Sequence, residues 1–127
     1  MLSLIKKYGL ENKVFLMGER KNIKDAIVPS RAFICASVSE GMPNAIIEAL
    51  SYGIPVITSR WEGYDEVIDE GVNGLTFEIN NVEQMTKQME IIANNDALFE
   101  KMSNAAIKHR IEDFKAEAVL NKWDQII

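Results

Sequence analysis

The sequence has 127 residues, 47% hydrophobic and 26% charged, the size and balance of one globular domain; that excludes a disordered, collagenous or disulfide-stapled chain. Its net charge of -5 is uneven: residues 1–60 hold eight Lys/Arg against five Asp/Glu, and residues 61–127 six against fourteen. Nucleic acid is therefore a poor partner for the whole chain, while the basic half still suits a smaller anion.

The first residues, MLSLIKKYGLENK, read as an amphipathic helix over Leu2–Tyr8 stopped at Gly9; they turn polar too soon for a secretory signal. Lys13–Met17 is expected as a first strand ending at Gly18, followed by a loop and a short helix capped by Asn22. Phe33–Ala36, apolar throughout, is expected as a second strand covered on both faces. It contains Cys35, the only cysteine, which reads as a buried thiol acting as a small hydrophobe.

The next helix is expected from Pro43 to Tyr52, since proline at a first helical position costs no hydrogen bond. Ala45, Ile46, Ala49 and Leu50 give it an apolar face. Pro55–Thr58 is expected as a third strand, Asn73-Gly74 as a turn, and Gly74–Glu78 as a fourth strand. Asn80 and Glu83 have capping-box spacing before a helix over Val82–Ala93. Helices over Ala97–His109 and Phe114–Gln125 follow. Alternating strands and helices followed by helices alone predict an α/β chain, residues 1–127 as one domain: a Rossmann-like three-layer parallel sheet with a helical carboxyl-terminal tail.

The densest candidate site is Ser37-Val38-Ser39-Glu40-Gly41-Met42-Pro43-Asn44-Ala45-Ile46-Ile47-Glu48. It follows a strand and opens a helix, where ligands of doubly wound sheets sit. A helix start offers free N–H groups that suit phosphate, while Glu40 and Glu48 are natural acceptors for sugar hydroxyls. On periodicity alone, Glu40 reads equally well as a turn residue and Glu48 as a solvated helix residue. No Cys/His set has zinc spacing, the single histidine, His109, suits a helix end, and no metal or other cofactor is expected.

Glu40-x7-Glu48 within this stretch, followed by Gly53-Ile54-Pro55-Val56-Ile57, resembles the donor-binding motif of retaining GT-B glycosyltransferases of the GT4 family. Asn73-Gly74-Leu75 is similar to the family's entry to its last strand, and Val14-Phe15-Leu16-Met17-Gly18 to the strand and glycine before its nucleotide loop. The resemblance covers residues 10–127. It implies that Glu40 approaches the donor sugar as the catalytic-site carboxylate and that Glu48 binds the ribose. It also implies that Gly41, Met42 and Asn44 bring the helix start to the sugar and diphosphate, and that Gly18 and Arg20 lie near the base. Transfer from a UDP- or GDP-linked sugar with retention, in polysaccharide or glycolipid synthesis, is the implied activity, with a cytoplasmic location, at most peripheral to the inner face of the membrane.

The family commonly has Gly-Gly-x-x-Glu where this chain has Glu62-Gly63-Tyr64-Asp65-Glu66. Glu62, Gly63 and Glu66 are further site candidates, with Arg60 at a strand end. The family's paired Arg and Lys on the diphosphate, and its acceptor domain, have no counterpart in these 127 residues. The chain thus reads as a donor domain truncated on its amino-terminal side and lacking its first strands, inactive alone, with the acceptor domain as its partner. In the strand order 3-2-1-4-5-6, Lys13–Met17 would stand two strands away from Phe33–Ala36. Direct pairing of the two is the favoured closure, with self-association expected. The rivals are a non-catalytic nucleotide-binding fragment and another nucleotide-sugar enzyme such as an epimerase; no Gly-x-Gly-x-x-Gly follows a strand, which argues against the latter.

Overall fold

The computed structural model describes residues 1–41 and 43–113. In chain order it holds α1 (Leu2–Lys7), α2 (Lys24–Ile27), β1 (Phe33–Cys35), α3 (Asn44–Ser51), β2 (Val56–Ser59), a 3-10 turn (Tyr64–Glu66), β3 (Gly74–Phe77), α4 (Val82–Asn94) and α5 (Asp96–Asp113). The strands form one parallel sheet in the order β1-β2-β3. Phe33 lies opposite Val56, and Val56 opposite Gly74.

Every residue of the central strand β2 is buried, as a strand between two neighbours and two helical layers must be. Its side chains alternate between two cores. Val56 packs with Ile46, Ala49 and Leu50 of α3, and with Trp61 and Ile68. Ile57 packs with Leu75 and Phe77 of β3, Ile92 of α4 and Met102 of α5. Helix α5 serves both cores, because Ala106 belongs to the first and Met102 to the second. This is the predicted α/β arrangement of parallel strands between helices.

One predicted strand is absent. Lys13–Met17 forms no strand and does not pair with β1. The Lys13 and Val14 amides instead donate to the Leu10 carbonyl at 2.9 and 2.8 Å, and Val14, Phe15, Leu16 and Met17 are exposed. A parallel strand exists only beside another that takes up its amides and carbonyls, and no such neighbour reaches this segment among the described residues. Apolar composition alone does not make a strand.

Smaller shifts have local causes. Pro43 stands at the cap position rather than inside α3. Asn81, not Asn80, caps α4 by accepting the Gln84 amide, because Asn80 takes a positive φ of 64°. The turn expected at Asn73-Gly74 spans residues 71–73 and runs directly into β3 at Gly74: the Val72 and Asn73 amides both donate to the Asp69 carbonyl.

Asn73 is wholly buried. Its Oδ1 accepts the Asp69 amide at 2.8 Å and its Nδ2 donates to the Val67 carbonyl at 3.1 Å. At Gly74 a Cβ would overlap the Val56 carbonyl oxygen, so this position has room for glycine only. The predicted tail helix Phe114–Gln125, with Trp123, lies outside the described residues.

Candidate functional site

The loops at the carboxyl ends of β1 and β2 enclose an open cleft of about 730 Å³. One wall comes from the β1–α3 connection, with Glu40, Gly41 and Pro43, and from Ile47 of α3; the other follows β2, with Trp61, Glu62, Gly63 and Glu66. Parallel strands bring both loops to one side, which is why the cleft forms at this edge.

The start of α3 opens on the cleft. No side chain caps it, so its first-turn amides stay available to water or to an anion. Just before it, Glu40 is half-buried. Its Oε1 accepts the Ser37 hydroxyl at 2.5 Å, with the Cys35 thiol 3.7 Å away.

Trp61 forms part of the opposite wall. It is buried, with its Nε1 donating to Thr58 Oγ1 at 3.1 Å. Gly63 has φ 92°, a region that favours glycine. The second glycine of the family pattern is therefore required by the backbone here. Glu62, in the place of the first, stands exposed at the cleft.

Three carboxylates, Glu40, Glu62 and Glu66, line the cleft, and among the described residues no lysine or arginine does. Arg60 is engaged elsewhere: its Nε donates to Thr76 Oγ1 at 2.9 Å and its guanidinium pairs with Glu78 at 2.6 Å. Among the described residues no group of three or more His, Cys, Asp or Glu is arranged to hold a metal ion. Among them, too, no helix is long and apolar enough to cross a membrane.

The structure thus brings together Glu40, Gly41, Glu62, Gly63 and Glu66 of the predicted set. Met42 lies outside the described residues. Asn44 is exposed as the first residue of α3, and Glu48 is half-buried one turn further on; neither lines the cleft. Residues 44, 48 and 51 share one stripe of α3, about 100° from Ile47, which does line it. Gly18 and Arg20 sit in the exposed segment before α2, the Arg20 guanidinium 4.0 Å from the Met17 sulfur.

Sequence reasoning gave no role to Ser37 and treated Cys35 only as a core thiol. The signal was the spacing Ser37-x-x-Glu40 directly after a strand, a hydroxyl within reach of a carboxylate. Trp61 both lines the cleft and packs in the first core.

Residues 1–109 match the family described as glycosyl transferases group 1. An uncharacterized glycosyltransferase of Haemophilus influenzae is 27% identical over 128 residues, which cover 98% of this chain and 35% of that protein. The N-acetyl-alpha-D-glucosaminyl L-malate synthase of Bacillus anthracis is 25% identical, covering 99% of this chain and 33% of the enzyme.

Among solved structures, a TarM variant of S. aureus in complex with fondaparinux, alpha-GlcNAc-glycerol and UDP superposes with a TM-score of 0.87 at 27% identity, covering 98% of this chain and 25% of TarM. The C-terminal domain of LpcC, a glycosyl transferase group 1 family protein from Francisella tularensis, shares the fold. Its TM-score is 0.78 at 19% identity, with 90% of this chain and 60% of that one covered. The chain spans 35% and 33% of the two curated relatives it matches here.

The matched residues carry both walls of the cleft and all three strands, and the chain belongs to the glycosyl transferases group 1 family, with the GT-B type fold of the carboxyl-terminal donor-binding region.

Proposed function

We propose that this chain binds the nucleotide sugar of a retaining glycosyltransferase, a UDP- or GDP-linked donor, and works with an acceptor-binding domain in polysaccharide or glycolipid synthesis. One observation carries the reading. An uncapped helix start and a half-buried carboxylate, Glu40, meet in a single cleft at the carboxyl ends of the strands.

Each part of that cleft suits a different part of the donor. The first-turn amides of α3 and its dipole attract the diphosphate. The Glu40 carboxylate accepts hydrogen bonds from sugar hydroxyls. Beside the cleft, Glu48 on the adjacent stripe of the same helix is assigned the ribose.

Transfer breaks the bond from the anomeric carbon to the diphosphate oxygen, forms one to the acceptor oxygen, and passes the acceptor's hydroxyl proton to the departing diphosphate or to solvent. The charge left on the diphosphate then meets amide groups already aimed at it, which is electrostatic stabilisation without reorganisation. Among the described residues no cation lines the cleft, and the remaining neutralisation is assigned to basic residues of the acceptor side. It follows that the 127-residue chain alone has no transferase activity, because acceptor and donor must be positioned together.

Replacing Glu48 by Ala in an enzyme that carries both domains is expected to weaken donor binding in a calorimetric titration. Unchanged affinity refutes the ribose role, and sugar transfer by the isolated chain refutes the division of labour. A purely regulatory module would bind the nucleotide and never transfer, even with the acceptor domain present.

A further inference from the structure

At the wall of the cleft, Cys35 at the end of β1, Ser37 and Glu40 of the loop after it, and Ser59 at the end of β2 are joined by hydrogen bonds. The Ser59 hydroxyl, buried at the end of β2, donates to the Ser37 carbonyl at 2.5 Å. This pins the loop after β1 to the central strand. Ser37 Oγ stands 2.5 Å from Glu40 Oε1 and 3.2 Å from Cys35 Sγ.

The direction of these bonds follows from proton count. An ionised carboxylate only accepts, and a serine hydroxyl has one proton to give. That proton is therefore committed to Glu40, and the hydroxyl lone pair is left for the Cys35 thiol. Glu40 Oε1 is thus engaged, while Oε2 has no protein partner among the described residues.

We propose that Ser37 is a positioning residue: it engages one oxygen of Glu40 so that the other is presented to the donor sugar in a fixed orientation. Ser59 is the anchor that holds Ser37 in place. The proposal rests on the reading of the cleft as a nucleotide-sugar site. A carboxylate free to rotate on its stem gives up that preorganisation each time it binds a hydroxyl, so the loss falls on the sugar and not on the nucleotide.

The test compares UDP with UDP-glucose and UDP-N-acetylglucosamine, and GDP with GDP-mannose, by titration calorimetry on the 127-residue chain. Ser37→Ala is expected to weaken sugar-nucleotide binding about tenfold, the scale of one hydrogen bond to a charged group. Affinity for the bare nucleotide should stay within about twofold, which also shows that the variant is folded. In a Glu40→Ala background, Ser37→Ala should cost nothing further, because the two residues act as one unit.

Equal losses for nucleotide and sugar nucleotide would make Ser37 merely structural and overturn the proposal. So would full affinity in Ser37→Ala, or additive losses in the double variant. If the unaltered chain binds neither nucleotide, the donor reading itself fails and this inference falls with it.

Discussion

Two short motifs of this domain meet opposite physical fates. Asn73-Gly74 is wholly engaged: the asparagine amide is bonded at both its ends, and the glycine lies against the backbone of the next strand. Glu40-Gly41 is only half engaged. One carboxylate oxygen is held by Ser37, the other has no protein partner among the described residues, and Glu40 and Gly41 line an open cleft beside an uncapped helix start. A motif whose polar groups are all satisfied within the fold is scaffold, and one with groups left over is where a ligand belongs. Both motifs look alike in sequence, as short polar and glycine pairs beside an apolar strand.

The largest effect should come from the engaged motif. Gly74→Ala forces a methyl group onto the Val56 carbonyl and should destabilise the fold by about 3 kcal/mol, as backbone overpacking does. Thermal unfolding measures it, and a melt within about 0.5 kcal/mol of the parent would mean that the strands separate easily. Asn73→Ala strands the Asp69 amide and the Val67 carbonyl; about 2 kcal/mol is expected, the cost of leaving such groups unpaired.

The open motif should respond in binding instead. Three carboxylates line the cleft and, among the described residues, no cation does, so an acidic donor sugar should be disfavoured. UDP-glucuronate is expected to bind about tenfold more weakly than UDP-glucose, and Glu62→Gln should reduce the gap to about threefold, on the scale of partly screened charges. Equal binding of the two donors by the unaltered chain would remove the electrostatic part of the account.

The smallest effect belongs to the segment that did not become a strand. Val14→Ser and Phe15→Ser, at exposed positions, should each change stability by no more than about 0.5 kcal/mol. A loss of 2 kcal/mol would show that the segment packs in solution. The same exposed run should promote self-association, and light scattering of a clean monomer at high concentration would count against that.

Much of the fold was legible because its signals are local. Apolar runs broken by glycine and proline marked β1, β2, β3 and the helix α3 to within a residue or two. Lys13–Met17 carried the same signal and failed, since a strand also needs a neighbour and composition carries no information about neighbours.

The site was legible at Glu40 and Gly41, where a strand end and a helix start are visible in the pattern. It was not legible at Ser37 and Ser59, which are 22 residues apart and linked only by the parallel register. Nor did the sequence show that Arg60, at a strand end with its charge, is engaged by Glu78 just past the end of the neighbouring strand.

The measurement that bears most directly on the central claim is a calorimetric titration of the 127-residue chain with UDP, GDP and their sugar conjugates. The account predicts saturable binding of one nucleotide, tighter with the sugar attached, and weakened about tenfold for the sugar conjugate alone by Glu40→Gln, which leaves the carboxylate's place filled but uncharged. No heat with either nucleotide, or a Glu40→Gln variant that binds as the parent does, would contradict it.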